Sequence, residues 1–178
     1  MKTRLAYSIF IALALTGCQS GYYTEEDYQK VLKIDSHVHV NSDKGIFEDQ
    51  ALKDNFILIT LGVDHSDSMA VKQQLSYALS SAKKYPGEVF YGATFFFDTT
   101  GWGSPDWSKK VSSHIEKDVS GGAISVKLWK NIGMTVRVRK GNVIMIDDPA
   151  LNHVIAFITS RNLPVTGHCG EPRKCLLP

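Results

Sequence analysis

Two histidines one residue apart, His37 and His39, sit in the β-branched, strand-like run Lys33 to Val40 (KIDSHVHV). Side chains alternate across a strand, so Asp35, His37 and His39 are expected on one face and Val38 and Val40 on the other. Imidazoles at i and i+2 can converge on one metal ion, and such donors suit zinc, with iron, manganese or nickel as alternatives. Lys127 interrupts the apolar run Gly122 to Trp129 (GAISVKLW). An ammonium there must be buried at a cost or be functional. His168 closes a further short run, Leu163 to His168 (LPVTGH), and is followed by the tight polar loop Cys169-Gly170-Glu171-Pro172. Three of five strand-like runs therefore end in His or Lys.

The elements that must position these groups alternate along the chain. Five runs read as strands: 33–40, Phe56 to Val63 (FILITLGV), Val89 to Phe97 (VFYGATFFF), 122–129 and 163–168. The second is continuously apolar, as buried parallel strands are. Helical spacing links Val71, Leu75, Ala78, Leu79 and Ala82 behind a cap at Ser66 to Ser68 and before Pro86. Ser104 and Pro105 open a second helix with Trp107, Val111, Ile115 and Val119 as its buried stripe and Gly121 at its end. Asp148 and Pro149 open a third, with Leu151, Val154, Ile155 and Ile158 inward. One short helix is expected in 44–55. Met134 to Arg139 and Asn142 to Ile146 alternate around Lys140-Gly141 and predict a small β-hairpin.

Strands alternating with helices predict an α/β architecture with a parallel sheet. In a parallel barrel the C-terminal strand ends carry the active site. A complete eight-fold barrel takes about 250 residues. The body from residue 33 to 178 supplies about five strands, so the expectation is a partial (β/α)8 barrel of the TIM type, its reading frame cut short.

The start of the chain reads as an address. Lys2 and Arg4, an apolar run from Ala6 to Leu15, and Leu15-Thr16-Gly17-Cys18 describe a secretory signal over residues 1–18. The run is shorter than the roughly 20 residues needed to span a bilayer. Residues 19–32 follow as a polar tether. Cys169 and Cys175 remain as a pair, either a disulfide of an oxidising compartment or two free thiols.

These motifs carry two resemblances. Leu-Thr-Gly-Cys resembles the lipobox of bacterial lipoproteins, which implies cleavage before Cys18, acylation of Cys18 and a membrane anchored through lipid. Gln19 after the cysteine implies the outer membrane or a periplasm-facing position in the cell envelope. Asp-Ser-His-Val-His at 35–39, Ser-Val-Lys-Leu-Trp at 125–129 and Leu-Pro-Val-Thr-Gly-His at 163–168, with Gly-Glu-Pro behind, resemble the amidohydrolase superfamily, in its amidohydrolase-related branch of hydrolases and decarboxylases. The resemblance covers about Lys33 to Pro172. It implies His37, His39 and His168 as ligands of a divalent metal, zinc favoured and one ion favoured over two. Lys127 matches the fourth-strand position that is a carboxylated, metal-bridging lysine in two-metal members. The family's sixth-strand His and eighth-strand Asp, the latter a metal ligand and proton acceptor, have no counterpart in this sequence.

The implied function is a metal-dependent hydrolase of an amide, ester or related bond in a small-molecule substrate, acting by metal-activated water with Lys127 and His168 as catalytic groups, this chain being a truncated copy that lacks the family's C-terminal catalytic Asp. The alternatives are a metal-dependent carboxylate decarboxylase using the same site and a non-catalytic truncated lipoprotein. Trp102 in the loop Asp98 to Trp107, Trp129 and Glu171 are candidate substrate contacts, each with ordinary packing or solvent exposure as the alternative. His65 and Asp64 are candidates for the rim; His114 and His153 read as helix-surface residues and Phe95 to Phe97 as core. At 178 residues, 43% hydrophobic and 21% charged, with net charge +2, the composition is that of an ordinary globular chain. Its scattered Lys and Arg give no footprint for a nucleic-acid partner.

Overall fold

A computed structural model describes residues 23–63, 68–95, 100–138 and 141–168. The chain divides into two compact units, Met1–Val31 and Leu32–Pro178. In the first, Glu25–Asp27 form one 3-10 turn, opened by a capping box in which the Asp27 carboxylate accepts from Thr24 N–H and its hydroxyl at 3.0 and 2.9 Å. Among the described residues no helix is long and apolar enough to cross a membrane.

The second unit is an α/β half-barrel. Its elements are β1 (Lys33–Val38), α1 (Ile46–Lys53), β2 (Phe56–Leu61), α2 (Ser68–Lys84), β3 (Val89–Ala93), α3 (Pro105–Ser120), β4 (Ser125–Lys127), α4 (Asn152–Ser160) and β5 (Val165–Thr166). All four pairings are parallel, in the order β1-β2-β3-β4-β5. The sheet curls as a partial barrel of the TIM type, so the expected fold class holds.

Local chemistry starts and stops the helices. Ser104 Oγ accepts from Trp107 N–H at 3.2 Å, and Pro105 occupies the first turn of α3, where its missing N–H costs nothing. Asp148 accepts from Ala150 N–H at 2.9 Å, but the turn it opens, Pro149–Leu151, is a 3-10 turn that leads into α4. The cap expected at Ser66 and Asp67 lies outside the described residues.

Two apolar clusters hold the helices to the sheet. Val38, Val40, Leu58 and Val89 meet Ala51 and Tyr85. Tyr91, Ala93 and Val126 meet Val71 of α2, Val111 and Ile115 of α3, and Val154 and Ile158 of α4. Each fully buried aliphatic side chain contributes about 1.5–3 kcal/mol. The side chains of Leu58, Val89, Tyr91, Ala93 and Val126 thereby define the helix-facing side of the sheet.

Two expectations are corrected. Strands β4 and β5 are shorter than the apolar runs that contain them. Among the described residues β5 pairs with β4 alone, and Pro164, which has no N–H, contributes just its carbonyl, accepting from Val126 N–H at 2.9 Å. Among the described residues the hairpin of 134–146 contracts to a single antiparallel bridge, Arg137 to Val143. The Asn131 carbonyl takes the N–H groups of Met134, Thr135 and Val136 at 3.0–3.1 Å, which winds the first arm into a turn instead of a strand.

Candidate metal and active site

The rim at the C-terminal ends of β1, β4 and β5 gathers the charged and aromatic nitrogen groups. A bulge in β1 decides which of them. Asp35 registers with Leu58 and Val38 with Thr60, three steps along β1 against two along β2. One extra residue reverses the alternation. Asp35 therefore occupies a register position on the helix-facing side, and the expectation that it shares a face with His37 and His39 is corrected. Its carboxylate instead turns back to accept from His37 N–H at 3.0 Å. The bulge keeps Val38 in the core and leaves His37 and His39 for the inner rim.

His39 is held by its far nitrogen. Nδ1 lies 2.7 Å from the carbonyl oxygen of Leu61, at the end of β2. A carbonyl only accepts, so Nδ1 carries the hydrogen, and the neutral ring has its lone pair on Nε2. This is how metal-ligating histidines are commonly oriented. The orienting group is a backbone atom, so residue types alone give no signal for it.

Lys127 points inward from β4 and is 1% exposed. Its Nζ lies 3.1 Å from His37 Nε2. Burial lowers the Lys127 pKa, which moves the side chain toward its neutral amine. Burial lowers the His37 pKa too, and the charges of Lys127, His39 and His168 push it the same way, against Asp35. Lys127 Nζ and His37 Nε2 share one hydrogen bond, which Lys127 donates in the tautomer that leaves this imidazole nitrogen its lone pair.

The fifth-strand imidazole joins the first two. The His37 and His39 ring centroids are 5.2 Å apart, and those of His37 and His168 are 5.0 Å apart, both edge-on. Two imidazoles on one tetrahedral ion, with N–metal bonds of about 2.0–2.1 Å, hold their ring centres about 5 Å apart. Ring spacing and donor type thus match shared coordination. The nitrogens do not close around one point: among the described residues no group of three or more His, Cys, Asp or Glu is set to hold a metal ion. His37 Nε2 faces the Lys127 amine, and a cation would compete with that hydrogen for the same lone pair.

The remaining candidates separate. Trp129 is buried; its indole N–H donates to Thr94 Oγ1 and its ring stacks on Phe95 at 5.8 Å. Trp129 and His168 both line one cavity of about 570 Å³ between the 130–146 excursion and β5. Trp102 packs edge-on against Trp107 at 4.5 Å and beside the larger core cluster, which is the loop-packing alternative. His114, read as a surface residue, is half-exposed, with Nε2 3.8 Å from the buried Asp118 carboxylate. His153 is exposed. Cys18, Asp64, His65, Phe96, Phe97, Cys169, Glu171 and Cys175 lie outside the described residues. The sequence reading did not single out Met134, Met145 and Ile146 as cavity walls, because their alternation suggested only a hairpin.

A buried amine thus lies against one imidazole, two further imidazoles stand 5.2 and 5.0 Å from that ring, and an apolar cavity opens alongside. No family model, no curated protein and no solved structure matches the chain.

Proposed function

We propose that this chain is a metal-dependent hydrolase of the amidohydrolase type, acting on an amide or ester bond of a small molecule. The observation that carries the reading is the gathering of His39 and His168 about His37, which itself lies against Lys127, at the C-terminal ends of parallel strands, where barrel enzymes place their chemistry. His37, His39 and His168 would hold one divalent cation, zinc favoured. Such an ion would polarise a carbonyl and acidify water.

The chain's own groups do the rest. Leu61 O fixes the tautomer of His39, so its Nε2 lone pair faces the rim without reorganisation. Burial of Lys127 favours an uncharged amine, which does not repel a cation as an ammonium would. That amine donates to His37 Nε2 in the tautomer that leaves this nitrogen its lone pair. Trp129, fixed by Thr94 and Phe95, offers a rigid apolar wall for the substrate. Acylation of Cys18 would hold the protein in the cell envelope; Cys18→Ser should then move it from the membrane fraction to the soluble one.

A second reading, a non-catalytic envelope protein, is favoured by the absence of a closed three-donor set among the described residues. Metal content separates the two. The purified chain should carry close to one equivalent of zinc and hydrolyse a simple amide, lactone or ester. The double variant His37→Ala, His39→Ala should lose both. Equal metal in the two proteins removes the hydrolase reading.

A further inference from the structure

The excursion between β4 and α4 carries more apolar surface than its own packing uses. Ile132 and Ile144 are buried and pin it to the larger core cluster. Two backbone bonds, Gly133 N–H to Ile144 O at 2.6 Å and Ile144 N–H to Val136 O at 2.9 Å, fix its shape. Met145 and Ile146 nevertheless stay 50% and 53% exposed. They form one lip of the cavity of about 570 Å³, whose other walls include Leu128, Trp129, Ile132 and Met134. Small-molecule pockets span roughly 300–1,000 Å³ and are mostly apolar with a few placed polar groups. The methionines supply soft walls that adapt to different shapes.

Its position gives the cavity a direction. His168 lies in its lining and also packs at 5.0 Å against His37. A ligand filling the apolar space therefore ends beside His168, whose ring neighbours that of His37. Trp129, stacked on Phe95 and bonded to Thr94, forms a wall that does not swing away.

We propose that this cavity binds the apolar acyl or aryl part of the substrate, so that the preferred substrates are amides or esters of medium-chain or aryl-alkyl carboxylic acids. The proposal rests on the hydrolase reading for the reaction, but not for the binding. Continuity with the imidazoles through His168 favours a small molecule over a protein partner as the occupant.

The test uses the full chain and four probes, acetate, butyrate, hexanoate and 4-phenylbutyrate, followed by calorimetry and tryptophan fluorescence. Affinity should rise about fourfold per added methylene, since each buried CH2 contributes about 0.8 kcal/mol. Ile146→Asp and, independently, Met145→Ser should weaken hexanoate at least tenfold and threefold. Both residues are exposed, and an unchanged thermal melt confirms folding. His37→Ala, His39→Ala should keep the chain-length dependence. A flat response to chain length, or hexanoate affinity unchanged by Ile146→Asp, overturns the proposal. So does a dimer that Ile146→Asp dissociates while no probe binds, which would make the surface a contact between copies. A metal-free, inactive protein with the chain-length dependence intact defeats only the hydrolase reading and supports the cavity. Metal-loaded, active protein with a flat response defeats only the cavity.

Discussion

Val126 and Lys127 are neighbours in β4, 0% and 1% exposed, and they obey opposite rules. Val126 faces the helices, where Tyr91, Ala93, Val111, Ile115, Val154 and Ile158 surround it with hydrocarbon. Lys127 faces the rim, against His37. Burying the first removes apolar surface from water and stabilises the fold. Burying the second strips water from an ammonium and opposes folding. The helix-facing side is thus built for stability, while the rim keeps a group that costs stability. Such a group is retained where its chemistry is used, and active sites are where perturbed lysines concentrate.

Four experiments break or sharpen this contrast. Ile115→Ala, in the middle of the packed side, should lower unfolding stability by about 2–5 kcal/mol in urea titration, through a cavity the core cannot close. A loss below about 1 kcal/mol would mean that the helix-facing side is not the stabilising layer. Lys127→Met should act in the other direction, raising stability by about 1–2 kcal/mol, and under the proposed function it should also abolish hydrolysis and reduce bound metal. A marked loss of stability in that variant would show the amine to be a structural tie. Ser104→Ala should cost about 1 kcal/mol, because Trp107 N–H loses its partner at the start of α3. Metal content should not change.

The smallest effect is in pH. Native His37 binds its proton more weakly than an unfolded histidine, whose pKa is about 6.5. The unfolded chain therefore takes up the extra proton, and the contribution of neutral His37, complete above that value, is lost as pH falls below it. Lys127 has the same sign in the alkaline range: stability rises with pH as the unfolded lysine approaches its own pKa. Thermal melts from pH 7 to 5 should show the first slope, and His37→Gln should flatten it. An unchanged slope in His37→Gln would remove His37 as the group responsible.

The packed side was largely legible in the residues. Ser104-Pro105 marked the start of α3, and Val111 and Ile115 marked its inward stripe, because caps and helical periodicity are short-range. The rim was legible in type and only partly in arrangement. His37, His39, Lys127 and His168 could be chosen because each ends a strand-like run. Asp35 was misplaced because one bulged residue reverses the alternation, and nothing within 33–40 announces the bulge. The hairpin was over-read because Asn131, outside both arms, captures three N–H groups of the first.

Alternation, capping and apolar runs are set by neighbours a few residues away. The order of strands and helices, and the identity of the rim donors, therefore followed from the chain itself. The distances between those donors did not. His37 meets Lys127 across 90 positions, and His39 meets Leu61 O across 22, through pairings that exist only once the sheet has curled. Which lone pair is free, which amine is dry and where the apolar cavity opens are properties of that long-range closure, because burial and hydrogen bonding depend on what the fold brings near, not on what the sequence places next.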